Sequence, residues 1–158
     1  MIVADTSAML ALIDADDRHH RAVLSLYEQA PADWILPWAI LPEVDYMLTT
    51  HVSIAAQRDF LRDLATASFA VEWGDEADLL RANALCSQYH DLRLGLVDAT
   101  VAATAERLGA AIATLDLRHF GALALDGSPA LLPRDANAEP HTYGSIRRRP
   151  TIPSKSRS

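Results

Sequence analysis

The chain has one cysteine, one lysine and no apolar run near the roughly 18 residues that a membrane-spanning helix requires. Each shortage excludes something. Cys86 has no partner for an internal disulfide, which fits a reducing compartment, and it reads as a small core residue on a helix. The opening residues lack the basic flank, long apolar stretch and small-residue cleavage site of a secretory signal, so a cytoplasmic protein with no membrane attachment is expected. No GxGxxG, Walker-type loop, CxxC pair or internal repeat occurs, which removes the dinucleotide and zinc-finger readings. The lone lysine, Lys155, is near the far end and cannot serve a site built around Asp5 and its neighbours in the way a receiver-type signalling domain needs.

What is present is one domain's worth of chain: 158 residues, half of them hydrophobic, enough for a substantial core. The net charge of −7 is unevenly spread. Residues 1–133 hold eight basic and nineteen acidic side chains, a net −11, whereas residues 134–158 hold six basic and two acidic ones, a net +4. That last stretch is rich in Pro, Ser and Arg without apolar periodicity, and is expected to be a disordered, solvated tail with at most a weak, salt-sensitive attraction to nucleic acid. An acidic body is unlike a generic nucleic-acid binder unless metal ions offset the acid.

Apolar spacing and turn residues divide the body into alternating strands and helices. Strands are expected at 2–5 (IVAD), 33–38 (DWILPW), 69–73 (FAVEW) and 110–116 (AAIATLD), with a possible edge strand at 129–133. Helices are expected at 7–14, at 22–29 after a cap by Asp16 or Asp17 and with Ala22, Leu26 and Ala30 as its apolar repeat, at 43–51 with Pro42 in its first turn, at 57–65, at 77–89, and at 95–109, where Gly109 ends an alanine-rich run. Alternation of this kind implies an α/β fold: a mainly parallel central sheet flanked by helices in three layers. The order of the strands is not specified by the sequence.

Four acids fall at special places on this map. Asp5 ends the first strand and Asp116 the strand AIATLD, while Glu43 and Asp98 sit in the first turns of their helices. In a parallel α/β sheet, strand ends and the starts of the following helices share one edge, and ligands bind there. A helix N-terminus stabilises an acid by only about 0.3–1 kcal/mol, too little for four crowded anions. Like charges a few ångströms apart push one another's pKa upward unless a cation joins them. Mg²⁺ or Mn²⁺, which take oxygen ligands and retain water for a phosphate substrate, are the economical occupants.

The segments IVADTSAMLALID, DDRHHRA, LPEVDYML and LVDATVAATAERLGAAIATLDLRHF resemble the PIN domain, and specifically the VapC-type toxin ribonucleases of bacterial toxin–antitoxin pairs. The likeness extends to about Pro133, and its most specific part is Val97–Phe120. It implies a metal-dependent endoribonuclease in which Asp5, Glu43, Asp98 and Asp116 are the catalytic, metal-holding quartet, with one ion or two left open. It further implies that Thr6 and Thr114 orient ligands beside the quartet, that RNA is the substrate, and that the protein is a homodimer restrained by a cognate VapB-type antitoxin. Arg118, near the acidic edge, is a candidate phosphate contact.

Other residues compete for attention. Asp45 lies two positions from Glu43, so on a helix it points nearly the opposite way, toward solvent or an arginine. The run DADDRHH is expected to start a helix, with His20 packing there, and His119 is expected to serve local structure. Trp34, Trp38 and Trp73 read as core. A haloacid-dehalogenase-type phosphatase needs an acid two residues after Asp5, where Ser7 stands. A PIN-like module that binds RNA or protein without cutting is the alternative of a different class, and missing or amidated acids would have favoured it.

Overall fold

The computed structural model describes residues 1–136. The basic stretch expected to be a disordered tail therefore lies, apart from Arg134–Ala136, outside the described residues. Five strands form one wholly parallel sheet: β1 (Ile2–Ala4), β2 (Trp34–Pro37), β3 (Ala70–Glu72), β4 (Ala111–Ala113) and β5 (Leu131–Leu132), in the order β3-β2-β1-β4-β5. Six α-helices connect them: α1 (Thr6–Ile13), α2 (His20–Gln29), α3 (Leu41–Met47), α4 (Ile54–Ala65), α5 (Glu76–Gln88) and α6 (Leu96–Leu108). Among the described residues no helix is long and apolar enough to cross a membrane.

β1 is central because it can be buried on both faces. Val3 and Ala4 are wholly buried, as parallel sheets covered by helices on each side demand. The first two crossovers, through α1–α2 and α3–α4, step outward to β2 and β3; the third, through α5–α6, returns to the other side of β1. Right-handed crossovers in opposite directions place their helices on opposite faces, giving three layers. Accordingly α1 packs on α2 and α3, while α5 packs on α6, which lies against β1, β2 and β4.

α6 shows why alanine dominates its sequence. Seven consecutive residues, Ala99 to Ala105, are buried, so the helix is enclosed on every side and only small side chains let its neighbours approach. Gly109 ends it with φ at +58°, and the Ala110 N–H donates to the Ala105 carbonyl at 3.0 Å, the bond that closes a left-handed helix terminus. The far end of α6 is tied to α5 by ion pairs. Arg107 donates twice to the buried Asp78, at 2.8 and 2.9 Å, and lies 3.1 Å from Glu72; Arg81 donates twice to Glu106.

Several expectations need correction. β4 stops at Ala113 instead of running to Asp116, because the Thr114 hydroxyl accepts the Asp116 N–H at 3.0 Å and curls the chain. Asp5 follows β1 as the N-cap residue of α1, in an extended conformation. The helix containing Glu43 begins at Leu41, after a 3₁₀ turn at Trp38–Ile40, and widens into a π turn at Leu48–Val52. In α2 the buried residue is Val23, with Leu24, Leu26 and Tyr27 packed beside it, whereas Ala22 is exposed and Ala30 lies past the helix end. Neither Asp16 nor Asp17 caps α2, whose N-cap position is His19 with no side-chain cap; Asp17 instead accepts the His19 N–H at 2.7 Å in the turn before the helix, and His20 Nδ1 pairs with the Ala11 carbonyl at 2.9 Å. Trp34 is core, edge-on to Tyr27, but Trp38 is half-buried and Trp73 is 73% exposed. Asp45 accepts from Gln57 at 2.6 Å and, among the described residues, not from an arginine. Cys86 is half-buried against the core.

Candidate active site

The sheet reverses its direction of growth between β1 and β4. At such a switch point the connections leaving two adjacent strands diverge to opposite faces and open a crevice beyond the strand ends. Asp5 follows β1, Asp116 lies in the turn after β4, Asp98 stands in the first turn of α6, and Glu43 stands in the first turn of α3, one strand away.

Asp5 is only 2% exposed. Its Oδ2 accepts the Ser7 hydroxyl at 2.7 Å and the Thr114 hydroxyl at 2.9 Å. Burial pushes its carboxyl above the ordinary value, and the two hydroxyl bonds hold it back. Ser7 and Thr114 each do a second job: the Ser7 oxygen accepts the Leu115 N–H at 2.9 Å, and the Thr114 oxygen accepts the Asp116 N–H. The two turns beyond β1 and β4 are thus stitched together around one carboxylate.

Asp116 Oδ1 accepts the backbone N–H groups of Arg118 and His119, each at 3.1 Å, which leaves Oδ2 directed elsewhere. His119 Nδ1 lies 3.1 Å from that Oδ2 and 2.9 Å from Asp98 Oδ2. The Asp98 carboxyl is pushed up to about 6, first by burial and then by the nearby Asp5 charge, with His119 opposing and Asp116 adding. Asp98 therefore feels both Asp5 and Asp116 as like charges.

Glu43 is exposed, and is connected to the others through Thr6, whose hydroxyl donates to Glu43 Oε2 at 2.5 Å. Arg118 is exposed; its backbone N–H serves Asp116, and among the described residues its guanidinium has no partner. Two residues at this edge lie outside the site set expected from the sequence. Ser7 is the last member of the D-T-S opening, and its spacing from Asp5 was the available signal. His119 was assigned to local structure, which its backbone N–H does supply, but its ring stands between two carboxylates; its spacing of three from Asp116 was the signal there.

A buried carboxylate, Asp5, beside two half-buried ones, Asp98 and Asp116, forms an oxygen donor set that a hard divalent cation satisfies. Asp98, Asp116 and His119 alone offer three ligand atoms lying within 4.8 Å of one another.

Residues 2–124 match the PIN domain family. The chain belongs to that family. A relative, Ribonuclease VapC26 from Mycobacterium tuberculosis, is 32% identical over 123 residues, covering 77% of this chain and 91% of the relative. Among solved structures, the PIN domain superposes on Mycobacterium tuberculosis VapC20, described as a sarcin-ricin loop cleaving toxin, with a TM-score of 0.70 and 20% identity over 80% of this chain and 98% of that one. It is also similar to the DNA-bound VapBC complex from Salmonella typhimurium, with a TM-score of 0.62 and 16% identity over 82% of this chain and 95% of that one. Those two likenesses establish the PIN fold, with the described sheet and its flanking helices.

Proposed function

We propose that this PIN domain is the toxin of a toxin–antitoxin pair, an endoribonuclease that hydrolyses RNA phosphodiester bonds with a divalent cation, Mg²⁺ or Mn²⁺, held by Asp5, Glu43, Asp98 and Asp116. The observation that carries the reading is that Asp5 and Asp116 lie within electrostatic reach of Asp98 at the switch point, where the Asp98 carboxyl is raised to about 6. Similarity to Ribonuclease VapC26 supports the reaction class.

A divalent ion bound there supplies Lewis acidity toward the phosphodiester and lowers the pKa of water. The chain's own contribution is preorganisation. Ser7 and Thr114 fix the Asp5 carboxylate so that it need not reorient, and Thr6 does the same for Glu43. Two backbone N–H groups occupy Asp116 Oδ1 and set the direction of Oδ2. Glu43 and the half-exposed Asp116 face the solvent side from which a polyanionic strand arrives, and the exposed Arg118 guanidinium is suited to a phosphate there.

Solved relatives that pair toxin with antitoxin, including complexes from Klebsiella pneumoniae and Salmonella typhimurium, support a VapB-type antitoxin as partner. An acidic crevice attracts a basic inhibitor side chain such as an arginine. A homodimer, a cytoplasmic location, and a division into a catalytic domain at 1–133 and a basic appendage at 134–158 complete the reading.

The test is cleavage of structured RNAs by antitoxin-free protein with Mg²⁺ or Mn²⁺, beside Asp98→Asn prepared identically. Cleavage by the wild type alone, abolished by a chelator, is expected. Equal activity in both preparations means a contaminating nuclease, and silence in both across several RNAs favours a module that binds without cutting.

A further inference from the structure

His119 sits where an ion's ligand would sit. Its Nδ1 is buried and stands between two carboxylate oxygens, 2.9 Å from Asp98 Oδ2 and 3.1 Å from Asp116 Oδ2. One ring N–H serves only one of them, whereas a cation placed there engages both oxygens and the nitrogen at once. Ligands about 2.1 Å from one octahedral ion lie about 3.0 Å apart when adjacent, close to both separations here. Asp116 is arranged to suit this: its Oδ1 is filled by two backbone N–H groups, one of them from His119 itself, and Oδ2 faces the ring nitrogen and Asp98.

We propose that His119 supplies a nitrogen ligand, through Nδ1, to the divalent ion held by Asp98 and Asp116, and thereby biases this centre toward Mn²⁺ over Mg²⁺. Mg²⁺ takes oxygen ligands and sheds water reluctantly, whereas first-row transition ions accept imidazole readily. An all-carboxylate centre would not discriminate in this way; replacing one oxygen with a neutral nitrogen also reduces the negative charge around the ion. The inference rests on the nuclease reading only for the presence of a divalent ion.

Pulsed electron paramagnetic resonance of the Mn²⁺-loaded full chain tests it directly. Modulation from a directly bonded ¹⁴N is expected, changing when histidine alone is labelled with ¹⁵N, a readout that needs no variant to fold. Calorimetric titration of His119→Gln, which keeps an oxygen donor, is expected to show Mn²⁺ affinity lower by about tenfold with Mg²⁺ affinity nearly unchanged, and loss of the nitrogen signal. Tight Mn²⁺ binding with no nitrogen signal, or equal losses for both ions in the variant, overturns the inference while RNA cleavage leaves the nuclease reading intact. Failure of the wild type to bind Mn²⁺ or Mg²⁺ at all overturns both.

Discussion

Thr114 donates its hydroxyl to Asp5 Oδ2 at 2.9 Å, joining residues 109 positions apart inside the protein, and the same oxygen accepts the Asp116 N–H. One side chain thereby sets the relative placement of two acids. Thr114→Val keeps the shape but leaves a buried carboxylate short of a donor and a backbone N–H short of an acceptor. A loss of about 1–3 kcal/mol in urea unfolding is expected, with reduced RNA cleavage, and Thr114→Ser should restore most of both. A valine variant as stable and active as the wild type would remove this role.

Glu43 offers the opposite case. It is exposed, and among the described residues its hydrogen-bond partner is the Thr6 hydroxyl, from which a glutamine carbonyl can also accept. Glu43→Gln should leave unfolding unchanged within about 0.5 kcal/mol, as exposed substitutions usually do. Cleavage, in contrast, is expected to drop by about 100-fold, at the upper end of what loss of a metal-supporting residue costs. Retained activity at normal stability would take Glu43 out of the ion-holding set.

Asp98 makes stability depend on pH. Its carboxyl releases its proton near 3.8 when unfolded and near about 6 when folded, so between those values the folded chain holds more protons. Stability contributed at this position therefore falls as pH rises through that window, and the penalty is fully present above it. In chelator, Asp98→Asn should melt higher than the wild type at pH 7.5, by about 2–4 °C for each kcal/mol of relieved penalty. Near pH 4 the two should melt together. A gap of the same size at both pH values would point to a cause other than charge.

The Asp78–Arg107 pair should matter to folding and not to chemistry. Asp78 is 3% exposed, and Arg107 is its bidentate partner at the end of α6 far from Asp98. Arg107→Met strands a buried carboxylate, and removal of one partner from such a pair typically costs about 3–5 kcal/mol. The denaturation midpoint should fall accordingly, while cleavage per folded molecule, measured well below the melting temperature, stays near the wild-type value.

Periodicity located the central strands and the long helices well, because Ile2–Ala4 and the alanine-rich α6 are buried on nearly all sides and carry little else. Acid positions relative to strand ends and helix starts were legible for the same reason. Short-range capping was not. The curl that ends β4 at Ala113 depends on which atom Thr114 accepts from, and the spacing of apolar residues carries no trace of that. The misreading of α2 came from treating Ala22 and Leu26 as equal markers, when Val23 and Tyr27 bury more surface and set the face. Trp73 misled because bulk suggests burial, yet it stands in the open just after β3. Ser7 acquires Leu115 only when segments more than a hundred residues apart are brought together, and His119 meets Asp98 only when the start of α6 and the turn after β4 come to the same edge.

β1 and β4 are neighbours in the sheet although more than a hundred residues separate them in sequence. A fragment that stops before β4 has Asp5 and Glu43 yet lacks both Asp116 and the hydroxyl that Thr114 places on Asp5. Half of the acidic edge is therefore the contribution of the last third of the described domain, and no shorter piece of it can assemble the set.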